Sequence, residues 1–312
     1  MNIENKIKPQ FFNQMYGVKE DPRIINQEEK PIRCQIILTN KCNLNCSFCG
    51  TKKRNKRLYF DKKLLFKALK NLSEIGCQKI VFNGGGEPLL YPYFIDAVKQ
   101  VKNTGMRVGL VTNGTLISKY SSSLWKNFDS INVSLNASRG NYKVVHGIDK
   151  YNDVIDGLKM LNKINNCKIG ISYVFSEKSS IKDLKTLIKD IKNFSINHLS
   201  IQNDGLKPII NIKSKLLKSD FLNIPIYFDL DRKIPKHCLI YWYGPSIDCD
   251  GLVYPCCTYQ IKRRMPMGHC SELKKIWEEH KYKVDTSKCL HCYHRAINNF
   301  LYKKKIEFKK DK

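Results

Sequence analysis

The sequence predicts an α/β fold, a partial (β/α)6 TIM-like barrel carrying a small Cys-rich C-terminal appendage. Apolar, β-branched runs alternate six times with stretches of helical spacing, the pattern of repeated βα units and a parallel sheet. Gly76 and Gly105 stand where helices are expected to stop. Seven of the 13 cysteines crowd between Cys238 and Cys292, beyond the last βα unit. Strands are expected near 32–38, 79–83, 106–111, 130–135, 168–175 and 197–202, each a short apolar run. Helices are expected over 61–75, 91–103, 118–127, 151–165 and 180–193. In the first of these, Leu64, Leu65, Ala68, Leu69, Leu72 and Ile75 recur at three- and four-residue steps and stripe one face. Such a barrel carries its functional loops at the C-terminal ends of its strands. Residues 1–30 read as a lead-in, 31–205 as the barrel core and 206–236, where periodicity is weak, as a connector. Residues 237–295 form the cysteine-rich segment with a short helix, Glu272 to His280, and 296–312 a basic tail.

At 312 residues and 42% apolar content the chain supports one large core and a small appendage. The polar stretch Met1 to Phe12 and the lack of any run of about 18 apolar residues point away from a signal peptide or membrane span, so a cytoplasmic protein is expected. In that setting thiols at ligand spacings read as metal or cluster sites rather than disulfides. Cys34, Cys77 and Cys167 lie within strands or at helix ends and read as buried thiols. Lysine and arginine total 55 against 28 acids, a net charge of +27. The abundant Lys, Asn and Ile fit an AT-rich genome. The scarcity of acids instead fits a field that draws anionic partners. Lys52 to Arg57, Lys262 to Arg264 and the tail Lys303 to Lys312 concentrate the charge; solvated faces and a frayed terminus are the plain reading of such runs.

Cys42, Cys46 and Cys49 follow the apolar run Ile32 to Leu38 in a C-x3-C-x2-C triad. Three soft thiolates ligate three corners of a cubane 4Fe-4S cluster and leave one iron open to another ligand. The alternative is a zinc knuckle, since zinc also takes closely spaced cysteines. The triad, with Phe48 just before its last cysteine, resembles the signature of the radical S-adenosylmethionine (radical SAM) enzymes. That resemblance implies that SAM chelates the open iron through its amino and carboxylate groups and is cleaved reductively to a 5'-deoxyadenosyl radical.

Asn83-Gly84-Gly85-Gly86-Glu87-Pro88 ends the second strand. Its glycines permit close backbone approach to a ligand and positive φ, and Glu87 offers an acceptor for an ammonium group. The segment resembles the family's GGE motif, which binds the SAM amino group. Thr112-Asn113-Gly114 ends the third strand; Asn113 is a SAM-binding candidate there, and Asn-Gly is equally a tight turn. By resemblance, Ser134 and Asn136 at the end of the fourth strand reach the SAM ribose or carboxylate. Arg139, Tyr173 and Gln202 are placed at the barrel mouth by the expected strand register. No residue identifies itself as the acid, base or hydrogen donor acting on a substrate.

The segment Cys249-Asp-Gly-Leu-Val-Tyr-Pro-Cys256-Cys257 reads as a turn followed by a strand ending in thiols. With Gly268, Trp277 and Cys289-Leu-His-Cys292 it resembles a shortened SPASM, or twitch, domain. That likeness implies a second 4Fe-4S cluster on Cys238, Cys256, Cys289 and Cys292. Cys257 is an alternative to Cys256, Cys249 and Cys270 are alternative fourth ligands, and His291 and His294 admit a mixed-ligand zinc site.

Two substrate classes follow. The resemblance implies a peptide or protein side chain as substrate, since many relatives with this appendage modify one, and alcohol oxidation on a sugar or aminocyclitol is the small-molecule version. The basic residues 52–57 favour instead a phosphate-bearing substrate, a nucleotide sugar or a base in nucleic acid. A non-catalytic iron-sulfur protein is a third expectation. The resemblance also implies a flavodoxin or ferredoxin as reductant.

Overall fold

The computed structural model describes residues 30–55, 57–164, 166–204, 216, 224–229, 234, 238–262, 265–280, 284, 286–289, 292, 298–299 and 301. Residues 1–29 of the lead-in, most of the connector, Arg263, Arg264, His291, His294 and the tail beyond 301 lie outside them.

Six strands fall on the six expected runs: β1 (Arg33–Ile37), β2 (Lys79–Asn83), β3 (Arg107–Thr112), β4 (Ser130–Ser134), β5 (Lys168–Phe175) and β6 (His198–Asn203). Each pairs in parallel with the next, so all their C-terminal ends meet at one rim. Alternation assigns the two faces. Ile36, Phe82, Leu110, Ile131, Ile171 and Leu199 point into the helix-covered core, while Gln35, Asn83, Val111, Ser130, Asn132, Ser134, Ser172 and Gln202 are half-buried on the opposite face, which lines the lumen.

The helices α1 (Lys62–Glu74), α2 (Phe94–Asn103), α3 (Ser122–Trp125), α4 (Tyr142–His146), α5 (Tyr151–Leu161) and α6 (Ile181–Ile191) cover the outer face. Asp61 caps α1 by accepting the Leu64 N–H at 2.8 Å, and Gly76 (φ +81°) follows its end. Burying Leu65, Leu69 and Leu72 stabilises the packing by roughly 1.5–3 kcal/mol each. Two expected helices change. The stretch 118–127 holds a 3-10 turn and the four-residue α3, because Ser121 caps a new start by accepting the Ser123 N–H. α2 begins only at Phe94, since Pro92 interrupts the chain after the 3-10 turn Pro88–Leu90. The five-residue α4 has no counterpart in the periodicity.

A further parallel strand, β7 (Ile226–Asp229), pairs with β6 inside the stretch read as a connector. Four edge residues are too few to show a period of two. At the other edge β8 (Ser246–Ile247) lies parallel to β1, β9 (Leu252–Tyr254) runs antiparallel to β8, and β10 (Gly268–His269) antiparallel to β9. The ten strands form one sheet in the order β10-β9-β8-β1-β2-β3-β4-β5-β6-β7, so the described part of the appendage extends the barrel sheet. Around it stand α7 (Ile240–Tyr243), α8 (Cys257–Lys262) and α9 (Leu273–His280). Asp250-Gly251 makes the expected turn, with Gly251 at φ +84°.

Arg54 ties the appendage to the loop after β1. Its Nη1 donates to Asp248 Oδ2 at 2.8 Å and its Nη2 to the Gln260 carbonyl, with the two charged side chains 6% and 0% exposed. This residue of the basic run is therefore buried structure, whereas Lys52, Lys53 and Arg57 remain exposed. Arg54→Ala leaves the Asp248 carboxylate buried beside a lost partner, and is expected to cost about 3–5 kcal/mol. Denaturant unfolding of the two proteins checks this; a loss within the range of a surface ion pair, about 1 kcal/mol or less, contradicts it.

Candidate active site

The chain between β1 and α1 leaves the sheet and returns as a pinned excursion. Thr39 and Tyr59 form an antiparallel bridge, Asn40 N–H donates to the Leu58 carbonyl at 3.1 Å, and Phe60 N–H donates to the Leu38 carbonyl at 2.9 Å. Cys42, Cys46 and Cys49 lie on this loop, all partly exposed.

The loop after β2 docks directly on it. Gly86 N–H donates to the Thr39 carbonyl at 2.9 Å and Glu87 N–H to the Lys41 carbonyl at 2.8 Å, while Thr51 Oγ1 donates to the Gly85 carbonyl at 2.6 Å. Gly84, Gly85 and Gly86 are not in the left-handed region, contrary to the expectation of positive φ. The requirement is for close approach: a Cβ on Gly86 would stand 2.0 Å from the Lys41 carbonyl oxygen, and one on Gly85 2.3 Å from Asn40 Oδ1. The backbone they approach is the cysteine loop itself.

Glu87 is 1% exposed. Its Oε1 accepts from Leu89 N–H at 3.1 Å and Thr112 Oγ1 at 2.7 Å, and its Oε2 from Asn113 N–H at 2.8 Å. Burial pushes its carboxyl up to about 7, and the three donors oppose that rise. Asn113 spans the gap between strand and loop: its Nδ2 donates to Asn43 Oδ1 at 2.8 Å and stands 3.9 Å from Cys42 Sγ. Gly114 (φ +81°) makes the tight turn behind it, so the turn read from Asn-Gly is present.

Ser134 is half-buried at the rim of the lumen face. Asn136 is buried, its Oδ1 accepting the Val174 N–H at 2.7 Å. Phe48 packs against the core and meets the His146 ring edge-on at 6.3 Å. Tyr173 is a correction to the expected register: it is fully buried on the helix side and donates to Asp183 Oδ2 at 3.1 Å. Arg139 is exposed and lies over the Tyr151 ring at 5.1 Å.

The cysteine loop also rests on α4, which the sequence did not reveal. Asn45 N–H donates to the His146 carbonyl at 3.0 Å and Ser47 N–H to that of Val145 at 2.9 Å, and His146 Nδ1 lies 3.1 Å from Cys46 Sγ. A single histidine a hundred residues downstream carries no spacing signal that could have singled it out.

The late thiols form two sets. Burial chiefly raises the Cys238 and Cys256 thiols; Cys292 and Cys289 add to the rise of the first, and Cys257 and Cys238 to that of the second, so Cys238 lies near the other three expected ligands. Cys289 Sγ lies 3.7 Å from Tyr259 Oη. Cys249 and Cys270 are buried instead in the main hydrophobic core.

These donors fit iron-sulfur clusters. Burial, then Cys42 and Cys49, push the Cys46 thiol up to about 12; burial, with Cys292 and Cys289, pushes Cys238 up to about 12 as well. Thiols that oppose one another's ionisation give up their protons when a metal takes the charge. Among the described residues no three His, Cys, Asp or Glu side chains converge closely enough for one metal ion.

Residues 36–191 match the Radical SAM superfamily and residues 238–299 match SPASM, an iron-sulfur cluster-binding domain. A probable GTP 3',8-cyclase of Saccharolobus islandicus is 30% identical over 214 residues, covering 60% of this chain and 68% of its own. A GTP 3',8-cyclase of Limosilactobacillus fermentum is 26% identical over 207 residues, 64% of this chain and 61% of its own. Among solved structures, Streptococcus suis SuiB bound to its precursor peptide SuiA superposes with a TM-score of 0.68 at 15% identity, over 92% of this chain and 73% of that one. The enzyme anSMEcpe with bound AdoMet superposes at 0.61 and 18%, over 89% and 96%. No helix among the described residues is long and apolar enough to cross a membrane. With its three-cysteine loop seated against a glycine-rich turn at the rim of a parallel sheet, and half its length matched, this chain belongs to the radical SAM superfamily and carries a SPASM auxiliary-cluster domain.

Proposed function

We propose that Cys42, Cys46 and Cys49 hold the SAM-cleaving 4Fe-4S cluster, that Cys238, Cys256, Cys289 and Cys292 hold the auxiliary one, and that the substrate is a peptide side chain or a sugar-type small molecule. When bound, the first cluster supplies the electron that cleaves SAM to the hydrogen-abstracting 5'-deoxyadenosyl radical, and the second a site for the electron left on the substrate. The observation that carries this reading is the direct docking of the Gly84–Glu87 turn on the cysteine loop. That docking holds Gly84–Glu87 against the cysteine loop before any ligand arrives, which supports their assignment to SAM. Phe48, Gly84, Gly85, Gly86, Asn113, Ser134 and Asn136 then line the SAM site, and Glu87 provides its negative end. Because Glu87 is buried, a cation nearby shifts it toward the ionised form. The peptide reading draws support from the fold shared with SuiB over most of the chain.

A second reading, a phosphate-bearing substrate, is favoured by the exposed Lys52, Lys53 and Arg57 on the cysteine loop and by relatives named GTP 3',8-cyclases. The two readings part on salt. Substrate-dependent turnover that falls steeply with ionic strength supports the phosphate reading, and an insensitive one the peptide.

Cys46→Ala is expected to abolish 5'-deoxyadenosine formation with dithionite and SAM under anaerobic conditions, and to lower iron from about eight to about four per chain. Cleavage that persists in this variant contradicts the assignment of the triad. Glu87 predicts a pH dependence of stability. Its folded-state value of about 7 lies above the ordinary 4.5, so the folded chain holds the proton more tightly. The resulting stabilisation is full below pH 4.5 and is lost as pH rises through 7, on the order of 3 kcal/mol at most. Denaturant midpoints across that range should decline in the parent and stay flatter in Glu87→Gln.

A further inference from the structure

His146 is 1% exposed and fixed from every side. Its ring stacks on Tyr142 at 4.2 Å and meets Phe48 edge-on, and its carbonyl holds the Asn45 N–H of the cysteine loop at 3.0 Å. Gly147 (φ +80°) ends α4 directly behind it, where a Cβ would stand 2.8 Å from the Asn45 carbonyl oxygen. The Asn136 backbone N–H donates to His146 Nε2 at 3.4 Å. A backbone N–H can only donate, so Nε2 is the lone-pair nitrogen and the neutral ring carries its proton on Nδ1. Nδ1 is the atom 3.1 Å from Cys46 Sγ.

The neighbours of the other two thiols are placed differently. The Asn113 amide stands 3.9 Å from Cys42 Sγ and also serves Asn43 Oδ1 at 2.8 Å. Thr51 Oγ1, 3.3 Å from Cys49 Sγ, donates to the Gly85 carbonyl at 2.6 Å. The short, pre-aimed N–H therefore points at Cys46.

Resting on the assignment of Cys42, Cys46 and Cys49 as cluster ligands, we infer that His146 is a positioning residue that donates a hydrogen bond from Nδ1 to the Cys46 sulfur and thereby raises the reduction potential of the SAM-cleaving cluster. Hydrogen bonds to cluster sulfurs stabilise the more negative, reduced state. The ring is clamped between Tyr142, Phe48 and the Asn136 N–H, so the donor is held in place without reorganisation when the electron arrives. The strand end that supplies Asn136 to the SAM site thus also sets the tautomer of the residue beside Cys46.

The test uses the anaerobically reconstituted, full-length protein. The cluster with the open iron is identified as the reduced signal whose electron paramagnetic resonance spectrum changes on adding SAM, and its midpoint is followed in the parent, in His146→Phe and in His146→Asn. The phenylalanine variant keeps a ring of similar size and removes the donor, so the midpoint is expected to move to more negative potential and SAM cleavage to slow when reductant is limiting. Asparagine can place an N–H near the Nδ1 position, and is expected to restore much of the potential. Pulsed measurements on the parent protein labelled with 15N-histidine are expected to show a histidine nitrogen weakly coupled to the reduced SAM-responsive cluster. That readout does not depend on a variant folding. An unchanged midpoint in His146→Phe, or no nitrogen coupling in the labelled parent, overturns the inference while leaving the triad assignment intact. Iron content that does not fall in Cys46→Ala overturns the assignment on which it rests.

Discussion

The structure depends on one constraint: an irregular loop must present three thiols to the outside while its own backbone stays satisfied. Among the described residues of 39 to 59 there is no regular helix or strand, so only some of their polar groups pair within the segment, through turns and the Asn40–Leu58 contact. Others pair with its surroundings. The Gly86 and Glu87 N–H groups take the carbonyls of Thr39 and Lys41, and the carbonyls of Val145 and His146 take the N–H groups of Ser47 and Asn45. Arg54 completes the hold from the appendage side through Asp248 and Gln260. The loop is gripped by the turn after β2, the helix after β4 and the strand added beside β1. Each grip comes from a different part of the chain, so the site exists only once the sheet is assembled.

Glycine has a different purpose here from the one its motif suggests. In the Gly84–Gly86 turn the missing side chains let one protein loop lie on another. Glu87 illustrates the same economy. Its carboxylate gathers donors from Leu89, Thr112 and Asn113, which fastens the end of β3 to the turn after β2 while keeping a titratable charge under the rim. A desolvated acid held this way responds to any cation placed near it.

Continuity of the sheet from β7 through β1 to β10 gives the auxiliary-cluster segment a fixed attachment. β8 pairs in parallel with β1, the strand that feeds the cysteine loop, and Asp248 follows β8 directly. The two thiol-bearing regions therefore share one rigid strand pair and one buried ion pair. Such an arrangement can hold the separation between two redox centres constant in a way that a flexible linker cannot.

Much of this was legible from residue order. Local patterns determined the six strands, most of the covering helices, the cysteine triad, the glycine-rich turn and the grouping of late thiols, because periodicity and ligand spacing act within a few residues of one another. The four-residue β7 and the five-residue α4 escaped because neither is long enough to display its period. Which face Tyr173 takes, the burial of Arg54 and the separation of Cys249 and Cys270 from the other late thiols were decided only by tertiary structure. So was the meeting of His146 with Cys46. These depend on strand register and on contacts between segments a hundred or more residues apart, where pairing partners are chosen by packing and leave no trace in the spacing of either partner.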